Sequence, residues 1–255
     1  MFDLGLDWVK QLQEHSPTLA IVFGSGMRGW HADWKKLGQT NQDPVKDNHP
    51  DFLPGHEGTI TLGGYKDQKF LVCHGRVHAY EGYKKDQICG TIAQLCSWGI
   101  GKVLLFNATG SLDSRFSPGE LVAATHIWDA TGPLWNIKDG NVPWRETQWH
   151  ARFPNGAMGV RHGRYVMVLG PSYETAAEVQ ALGRLGAQVV GMSSVNELIE
   201  GRTLGMEVDL VSVIANLATG LSANPLTHEE VCRTMEETET EIMRVAHQWL
   251  NWDTP

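Results

Sequence analysis

Strand-like and helix-like patterns alternate along this chain, and that alternation limits the possible folds more than any other feature. Short apolar runs typical of buried strands are followed by segments with the periodicity of amphipathic helices. Strands joined through helices favour a parallel arrangement in which helices cover the faces of the sheet. The sequence therefore predicts the α/β class, with one twisted, largely parallel mixed β-sheet flanked by helices.

The individual elements have clear local signals. Strand-like runs occur at Thr18–Phe23, Thr59–Gly64, Lys69–His74, Lys102–Phe106, Glu120–Thr125, Arg164–Leu169, Val189–Met192 and Asp209–Ala215. Helical periodicity occurs at Leu6–Gln13, Asp86–Trp98, Thr175–Leu185, Val195–Leu204 and Thr227–Leu250. Three of these helices begin with the pattern of a capping box, at Thr175, Ser194 and Thr227. On the last helix we expect one apolar stripe to pack on the core, formed by Val231, Met235, Ile242, Val245 and Trp249.

Length, charge and cysteine content limit the class of protein. A chain of 255 residues can bury a large core, and we expect one domain over residues 1–255, with two smaller domains as the alternative. The net charge of −8 argues against a nucleic-acid or anionic-membrane surface, but not against a local site for a small anion. The four cysteines form no C-x-x-C pair, which argues against a zinc ribbon or a redox pair. Because no signal-type or membrane-length apolar run is found, the expected compartment is the cytoplasm.

Polar side chains follow three of the predicted strands. Glu174, Ser193 and Asn216 lie at or just after the ends of apolar runs that are well separated in the sequence. In an open α/β sheet, ligands bind outside the carboxyl ends of the strands. Core packing has no use for a Glu and an Asn at such positions. We therefore predict a binding site at this edge of the sheet.

Two further segments have the chemistry of an anion site. Gly24-Ser25-Gly26 follows the first strand, so its amides and hydroxyl could cradle a phosphate-type anion, although such a turn alone is more often structural. Arg76 and His78 are two residues apart, so on an extended segment both point to one face and form a two-pronged clamp. A polar strand end paired to surface carboxylates is an equally good interpretation of Arg76 and His78 taken alone.

The histidines near these segments have simpler interpretations when each is considered alone. His56, in Pro54-Gly55-His56, is typical of an ordinary loop histidine. His74 and His78 could be misread as metal ligands, but no further residue completes a site. We therefore predict no metal site.

Taken together, these segments resemble the trimeric, 6-oxopurine-type purine nucleoside phosphorylases. Each segment is weak evidence alone, but they follow the family's order and span nearly the whole chain. The matching segments are Gly24-Ser25-Gly26, Pro54-Gly55-His56, Gly75-Arg76 through Tyr83, Asn107-Ala108, Gly170 through Glu174, Met192-Ser193, Asn216 and His228-Glu229-Glu230-Val231.

The resemblance implies a role for each matching residue. It assigns phosphate to Ser25, Arg76, His78, Ser193 and the backbone amide of Ala108, with His56 nearby. It assigns the purine to Glu174, Asn216, Tyr173 and Gly110. It assigns the ribose to Tyr80, Met192, His228 and Trp149. The catalytic residues would be Asn216, Glu174 and His78, with inorganic phosphate as co-substrate and no metal or organic cofactor.

The resemblance also implies a homotrimer. Trp149 aligns with an aromatic residue that the family lends to the neighbouring subunit's site, and a buried or surface loop tryptophan is the alternative. It lies in the one irregular stretch, Asp129–His162, whose length is typical of a functional loop or an interface. Large aromatics in such a segment are commonly interface anchors, and here they are Trp135, Trp144 and Trp149, with Trp128 directly before the segment.

The chain departs from the family pattern at several places. Arg28 and Trp30 replace small or aliphatic residues, and Thr109 and Ser111 stand where the family typically has Ala and Gly. The sequence His126-Ile127-Trp128-Asp129 has lost the family's usual order, and the stretch between Phe153 and Tyr165 is shorter by about a helix. These departures bear on substrate preference and on trimer geometry.

Three alternative functions remain open from the sequence. A methylthioadenosine phosphorylase of the same fold is disfavoured because that relative usually carries Asp where this chain has Asn216. A nucleosidase would use water, and would not need Ser25, Arg76, His78 and Ser193 together. A catalytically silent purine-binding module is the third alternative, given the altered loops.

Overall fold

A computed structural model of the chain describes residues 6–24, 27, 29–40, 58–132, 142–222 and 227–252. The strands in these ranges are β1 (Leu19–Phe23), β2 (Lys35–Thr40), β3 (Thr59–Tyr65), β4 (Gln68–His74), β5 (Lys102–Ser111), β6 (Leu121–Asp129), β7 (Arg145–Glu146), β8 (Arg161–Met167), β9 (Val189–Gly191) and β10 (Glu207–Leu217). The helices are α1 (Leu6–His15), α2 (Lys85–Ile88), α3 (Gly90–Ser97), α4 (Trp149–Arg152), α5 (Ala176–Arg184), α6 (Val195–Thr203) and α7 (His228–Leu250). Short 3-10 turns occur at Ala79–Glu81 and Ala157–Gly159.

All the strands belong to one mixed sheet, in the order β10-β6-β8-β9-β5-β1-β4-β3-β2, with β7 added beside β6. The pairs β1–β4, β1–β5 and β5–β10 are parallel, as are β6–β8 and β8–β9. The pair β3–β4 is antiparallel because Lys66 and Asp67 alone connect Tyr65 to Gln68, too short a link for a crossover. The predicted mixed sheet flanked by helices is confirmed, with more antiparallel pairing than the sequence indicated.

Strand β5 is the centre of the sheet because it pairs with three other strands. Residues Lys102 to Leu105 pair with β1, and nearly the whole strand pairs with β10. Its last residues, Gly110 and Ser111, pair with β9. Since β10, β6, β8 and β9 also pair in succession, these strands and β5 form a closed circuit.

The core lies on both faces of the sheet because successive strand residues point to opposite sides. Ala20 and Val22 of β1 pack on the side covered by α1, α3 and α6. Ile21 and Phe23 pack on the other side, together with α7. The predicted stripe of α7 is confirmed, since Met235, Ile242, Val245 and Trp249 are buried and Val231 packs against them.

Every strand and helix predicted from the sequence is present, with shifted ends. β2 and β7 were not predicted, and neither was α4. The helix expected over Asp86–Trp98 is divided at Cys89 into α2 and α3. Among the described residues, no helix is long and apolar enough to cross a membrane.

Of the three predicted capping boxes, only one is complete. The Oγ1 of Thr175 accepts from the backbone N–H of Glu178 at 3.3 Å, and the carboxylate of Glu178 accepts from the N–H of Thr175 at 2.8 Å. Thr227 caps α7 through the N–H of Glu230, without the reciprocal bond. The prediction for Ser194 is wrong, because Ser194 has a φ of 74° and its side chain makes no capping bond.

The tryptophans of the irregular stretch are attached to their own chain. Trp128 is buried and contacts Trp144, whose ring centroid lies 5.8 Å away, and Nε1 of Trp144 donates to the carbonyl of Leu185. Trp149 is 1% exposed and packs against Phe153 in the core beneath α7. The prediction that Trp149 is lent to a neighbour's ribose site is therefore wrong, since so deeply buried a side chain cannot contact another subunit. Trp135 lies outside the described residues.

Candidate active site

A single cleft collects most of the residues predicted for the site. It has a cavity volume of about 130 Å³ and lies at the carboxyl ends of β1, β4, β5 and β10, which is the expected edge of the sheet. The predicted residues that line it are Arg76, His78, Tyr80, Ala108, Gly110, Tyr173, Glu174, Met192, Ser193 and Asn216. Ser25 and His56 lie outside the described residues, as does the side chain of His228 at the start of α7.

Asn216 reaches the cleft because β10 has an irregularity just before it. Ile214 pairs with Thr109, but the next pair joins Asn216 to Gly110, so Ala215 is skipped. A β-bulge of this kind re-aims the following side chain. A Cβ atom at position 110 would lie 3.2 Å from Oδ1 of Asn216. The glycine at position 110 therefore makes room for the Asn216 amide, which is buried.

Glu174 and Tyr173 enter the cleft from the segment between β8 and α5. Glu174 directly precedes Thr175, so the complete capping box of α5 fixes the backbone next to it. Burial raises the pKa of the Glu174 carboxyl, and the charge of Glu178 raises it further. Tyr173 is 40% exposed at the mouth of the cleft. The arrangement places one partly desolvated carboxyl group opposite the Asn216 strand.

Arg76 lies almost fully buried at the other end of the cleft, just after β4. The N–H of Gly75 donates to the carbonyl of Phe23 at 3.1 Å, which holds the turn from β4 against β1. Nη2 of Arg76 donates to the carbonyl of Val22 at 3.3 Å, and Nη1 donates to Oγ of Ser194. The guanidinium is therefore held from two sides while still lining the cleft.

His78 has one ring nitrogen attached to a carboxylate. Its Nδ1 lies 3.0 Å from Oε1 of Glu81, and the same oxygen accepts from the backbone N–H of His78 at 2.8 Å. Because a carboxylate oxygen can only accept, this contact places a proton on Nδ1 of the ring. The ring also stacks on Tyr80, with centroids 4.9 Å apart. Burial, together with the charges of Glu81 and Tyr173, raises the pKa of Tyr80 to about 12.

Ser193 and Met192 follow β9 and are positioned by a buried tyrosine. The hydroxyl of Tyr165 donates to the carbonyl of Ser193 at 2.8 Å. A Cβ atom at position 191 would lie 2.7 Å from that hydroxyl, so Gly191 permits the approach. Burial raises the pKa of Tyr165 far above its ordinary value, so the phenol stays a hydrogen-bond donor. The backbone that presents Ser193 to the cleft is therefore fixed.

Comparison with known proteins adds an independent observation. A family model described as the phosphorylase superfamily matches residues 18–251. Purine nucleoside phosphorylase 1 of Geobacillus stearothermophilus is 33% identical, over 93% of this chain and 92% of that protein. The enzyme of the same name from Bacillus subtilis is 30% identical, over 93% of each chain. This chain belongs to the purine nucleoside phosphorylase family.

A solved structure agrees with this placement. The Schistosoma purine nucleoside phosphorylase in complex with hypoxanthine matches the whole of both chains, with a TM-score of 0.73 and 25% sequence identity. The resemblance drawn from the sequence is therefore confirmed, and the mixed sheet is that of the purine nucleoside phosphorylases.

The hydroxyl groups at two positions that depart from the family's pattern have hydrogen-bond partners inside the protein. Oγ1 of Thr109 donates to the carbonyl of Val213 at 3.0 Å. Oγ of Ser111 donates to the carbonyl of Asp113 at 2.7 Å and accepts from the N–H of Asp113 at 3.2 Å. Both added hydroxyls therefore bond to backbone groups, and this phosphorylase fold keeps its cleft.

The sequence analysis assigned no role to three polar residues in or beside this cleft. Glu81 holds His78, and Glu197 lies 3.5 Å from Nη1 of Arg76. Asn107 lines the cleft fully buried, and neither polar atom of its amide has a hydrogen-bond partner of good geometry among the described residues. The signal for Asn107 was an amide within an apolar strand, whereas no sequence pattern indicated that Glu197 contacts Arg76.

One group of described side chains brings potential metal ligands together, namely His31, Asp33 and His247. Nδ1 of His247 accepts from Nε1 of Trp34 at 3.1 Å, and Nδ1 of His31 accepts from the N–H of Asp33 at 3.2 Å. A neutral imidazole that accepts at Nδ1 carries its proton on Nε2, so neither ring offers a lone pair to a metal. The two rings also stack, with centroids 4.2 Å apart, and one potential ligand atom of each of the three residues lies within 4.8 Å of the others. This is a packing contact between the β1–β2 connection and α7.

Proposed function

We propose that this enzyme catalyses phosphorolysis of 6-oxopurine ribonucleosides or deoxyribonucleosides, with inosine, guanosine and xanthosine as candidate substrates. The products are the free purine base and ribose 1-phosphate, or its deoxy analogue, as in purine salvage. The observation that carries this proposal is the composition of the cleft. One end has a cation and a histidine, Arg76 and His78, and the other has an amide and a carboxyl group, Asn216 and Glu174.

The phosphate subsite is proposed at the Arg76 end. Arg76 supplies positive charge, and His78, Ser193 and the backbone amide of Ala108 supply further hydrogen-bonding groups. Ser25 and His56 would complete this subsite, on the family resemblance alone. Charge-assisted hydrogen bonds are the strong ones, so the local donors outweigh the net charge of −8 for a small dianion.

The purine subsite is proposed at the Asn216 end, with Tyr173 and Gly110 lining it. As the glycosidic bond breaks, its electron pair moves onto the purine and the sugar acquires cationic character. The Asn216 amide donates to N7 and can accept from a protonated neighbour, so it stabilises charge that develops on the purine in the transition state. The Glu174 carboxylate accepts from the ring N–H and orients the base.

The pentosyl group lies between the two ends. Tyr80 and Met192 line this part of the cleft, and His228 would reach the 5′-hydroxyl. The phosphate oxygen then attacks the anomeric carbon, forming the new C–O bond as the purine leaves with its electron pair. Holding both reactants in line supplies much of the rate enhancement.

The remaining features of the proposal depend on the family resemblance. We infer a single catalytic domain over residues 1–255, a homotrimer, a cytoplasmic location, and phosphate as co-substrate without metal or organic cofactor. Trp149 gives no evidence for the trimer, because that residue is buried in its own protomer.

The test is to incubate pure protein with inosine, guanosine, xanthosine or adenosine, with and without phosphate, and to quantify the released base and sugar phosphate. We expect base release from a 6-oxopurine nucleoside only in the presence of phosphate, with equimolar ribose 1-phosphate. Equal rates without phosphate would identify a nucleosidase. Preference for adenosine-type substrates would favour the methylthioadenosine enzyme, and binding without turnover would identify a silent purine-binding module.

A further inference from the structure

A buried ion pair lies behind the phosphate end of the cleft. Oε2 of Glu197 is 3.5 Å from Nη1 of Arg76, and both side chains are 3% exposed. Glu197 does not line the main cleft, and instead lines a small separate cavity together with Ser193 and Ser194. The same Nη1 donates to Oγ of Ser194, which is also buried. Two residues at the start of α6 therefore contact the guanidinium without lining the main cleft.

Ser194 and Glu197 have the spacing of a capping box, but the Ser194 hydroxyl accepts from Arg76, and only the Glu197 carboxylate bonds the backbone N–H of Ser194. The positive φ of Ser194 takes its side chain away from the N-terminus of α6. A non-glycine residue in this region costs free energy, and such residues persist where the surroundings fix them. The surroundings here include the carbonyl of Ser193, bound by Tyr165, and the guanidinium of Arg76. The local backbone therefore favours contact with Arg76 over helix capping.

Burying a carboxylate with a guanidinium is a poor way to gain stability. Burial raises the pKa of Glu197, and the charge of Arg76 opposes that shift. The cost of desolvating two ions often exceeds their mutual attraction. The pair nevertheless fixes the direction of a long side chain whose rotamers would otherwise be free. Its specific effect is therefore expected on the geometry of Arg76.

We propose that Glu197 and Ser194 are positioning residues that fix the guanidinium of Arg76 for phosphate binding. This inference rests on the proposed function, in which Arg76 contacts phosphate. Two opposed effects decide the result of neutralising Glu197. Removal of its charge strengthens the attraction between Arg76 and a dianion, whereas loss of the ion pair releases the guanidinium from its fixed position. The inference states that the positioning effect is the larger one.

The test compares Glu197→Gln with the control variant Glu200→Gln. Glu200 is a partly buried acid on the same helix, and the ion pairs found among the described residues do not join it to Arg76. The Michaelis constant for phosphate is measured at saturating inosine, and that for inosine at saturating phosphate. For Glu197→Gln we expect the Michaelis constant for phosphate to rise about tenfold, while the Michaelis constant for inosine stays within about twofold of the parent value. Glu200→Gln should leave both constants unchanged. A lower or unchanged phosphate constant in folded Glu197→Gln would overturn the inference.

Two further variants keep the inference and the proposed function distinguishable. Ser194→Ala removes one hydrogen bond without burying a new charge, and should raise the phosphate constant in the same selective way even if Glu197→Gln does not fold. Arg76→Gln tests the phosphate subsite itself. If it leaves the phosphate constant unchanged, the subsite assignment fails. If Arg76→Gln raises that constant but Ser194→Ala and Glu197→Gln do not, only the positioning inference fails.

Discussion

At the scale of single residues, the Asn216 amide is expected to set base selectivity. An amide both donates and accepts, which suits a departing 6-oxopurine whose N7 gains electron density, whereas a carboxylate favours a 6-amino donor. Asn216→Asp should therefore raise adenosine activity relative to inosine, with an inosine loss of about 10²–10³ in rate. The measurement is kcat/KM for both nucleosides at saturating phosphate. An unchanged inosine-to-adenosine ratio would contradict the role of Asn216.

Gly110 offers a separate test of the same subsite. A Cβ atom there would lie 3.2 Å from Oδ1 of Asn216 and 3.4 Å from Cγ1 of Val190, so Gly110→Ala must displace the amide. We expect kcat/KM for inosine to fall about tenfold, since a small misplacement weakens a transition-state hydrogen bond. The matched control is Gly101→Ala, because nothing lies within 4 Å of a Cβ atom at that position. Equal activity of the two variants would contradict the placement of Asn216.

The raised pKa of Glu174 predicts how activity depends on pH. Glu174 is proposed to bind the ring N–H as a carboxylate, and burial is the main cause of its raised pKa. The active form is therefore lost at a higher pH than for an exposed glutamate as the solution is acidified. We expect an acid limb in kcat/KM for inosine at saturating phosphate, absent in Glu174→Gln. The same acid limb in that variant would assign the titration to another group.

At the scale of elements, the cap of α5 connects stability to the base subsite. Thr175→Ala removes the side-chain half of the capping box and should lower the free energy of unfolding by about 1 kcal/mol. Because Glu174 precedes the cap directly, the Michaelis constant for inosine should rise while that for phosphate stays unchanged. Chemical denaturation and two-substrate kinetics measure both effects. A phosphate constant that rises equally would show that the cap acts on the whole cleft.

The elements also show why some of the fold could be predicted and some could not. Strands such as β1 and β4 are buried, and their apolar runs carry a strong signal. β2 has no buried residue along Lys35–Thr40, so its sequence carries no apolar alternation. The same pattern that gave a correct cap at Thr175 failed at Ser194, because a distant arginine competes for the side chain. Local patterns cannot report such contacts.

At the scale of the whole molecule, the buried position of Trp149 changes what its removal should do. Trp149→Ala deletes a large core side chain and should cost about 3–5 kcal/mol of unfolding free energy. In the fraction that stays folded, the Michaelis constant for inosine should match the parent, since Trp149 does not line the cleft. Thermal melts and steady-state kinetics below the melting point measure the two effects. A stable variant with a raised Michaelis constant for inosine would support the earlier interpretation that Trp149 contributes to a neighbouring subunit's site.

The proposed homotrimer is tested by multi-angle light scattering at the assay concentration. We expect about three times the 28.3 kDa mass of the chain, because the family resemblance implies a trimer. A fully active monomer would contradict the trimer.

The sequence predicted most of the cleft because its polar residues end buried strands, a position that core packing does not explain. It misplaced Trp149 because the length and aromatic content of a segment do not reveal which surface its side chains cover.

Strand β5 carries contacts of both proposed subsites. Ala108 lies on the phosphate side and Gly110 on the purine side, two residues or about 6.6 Å apart. Gly110 also pairs with Asn216 and Val190, which fixes the position of the strand. The strand therefore sets the distance between the two proposed subsites. A substitution that moves β5 will therefore weaken the binding of both substrates. A substitution that alters only a side chain on another element will weaken the binding of one substrate. The kinetic response to any distant mutation therefore reports whether β5 has moved.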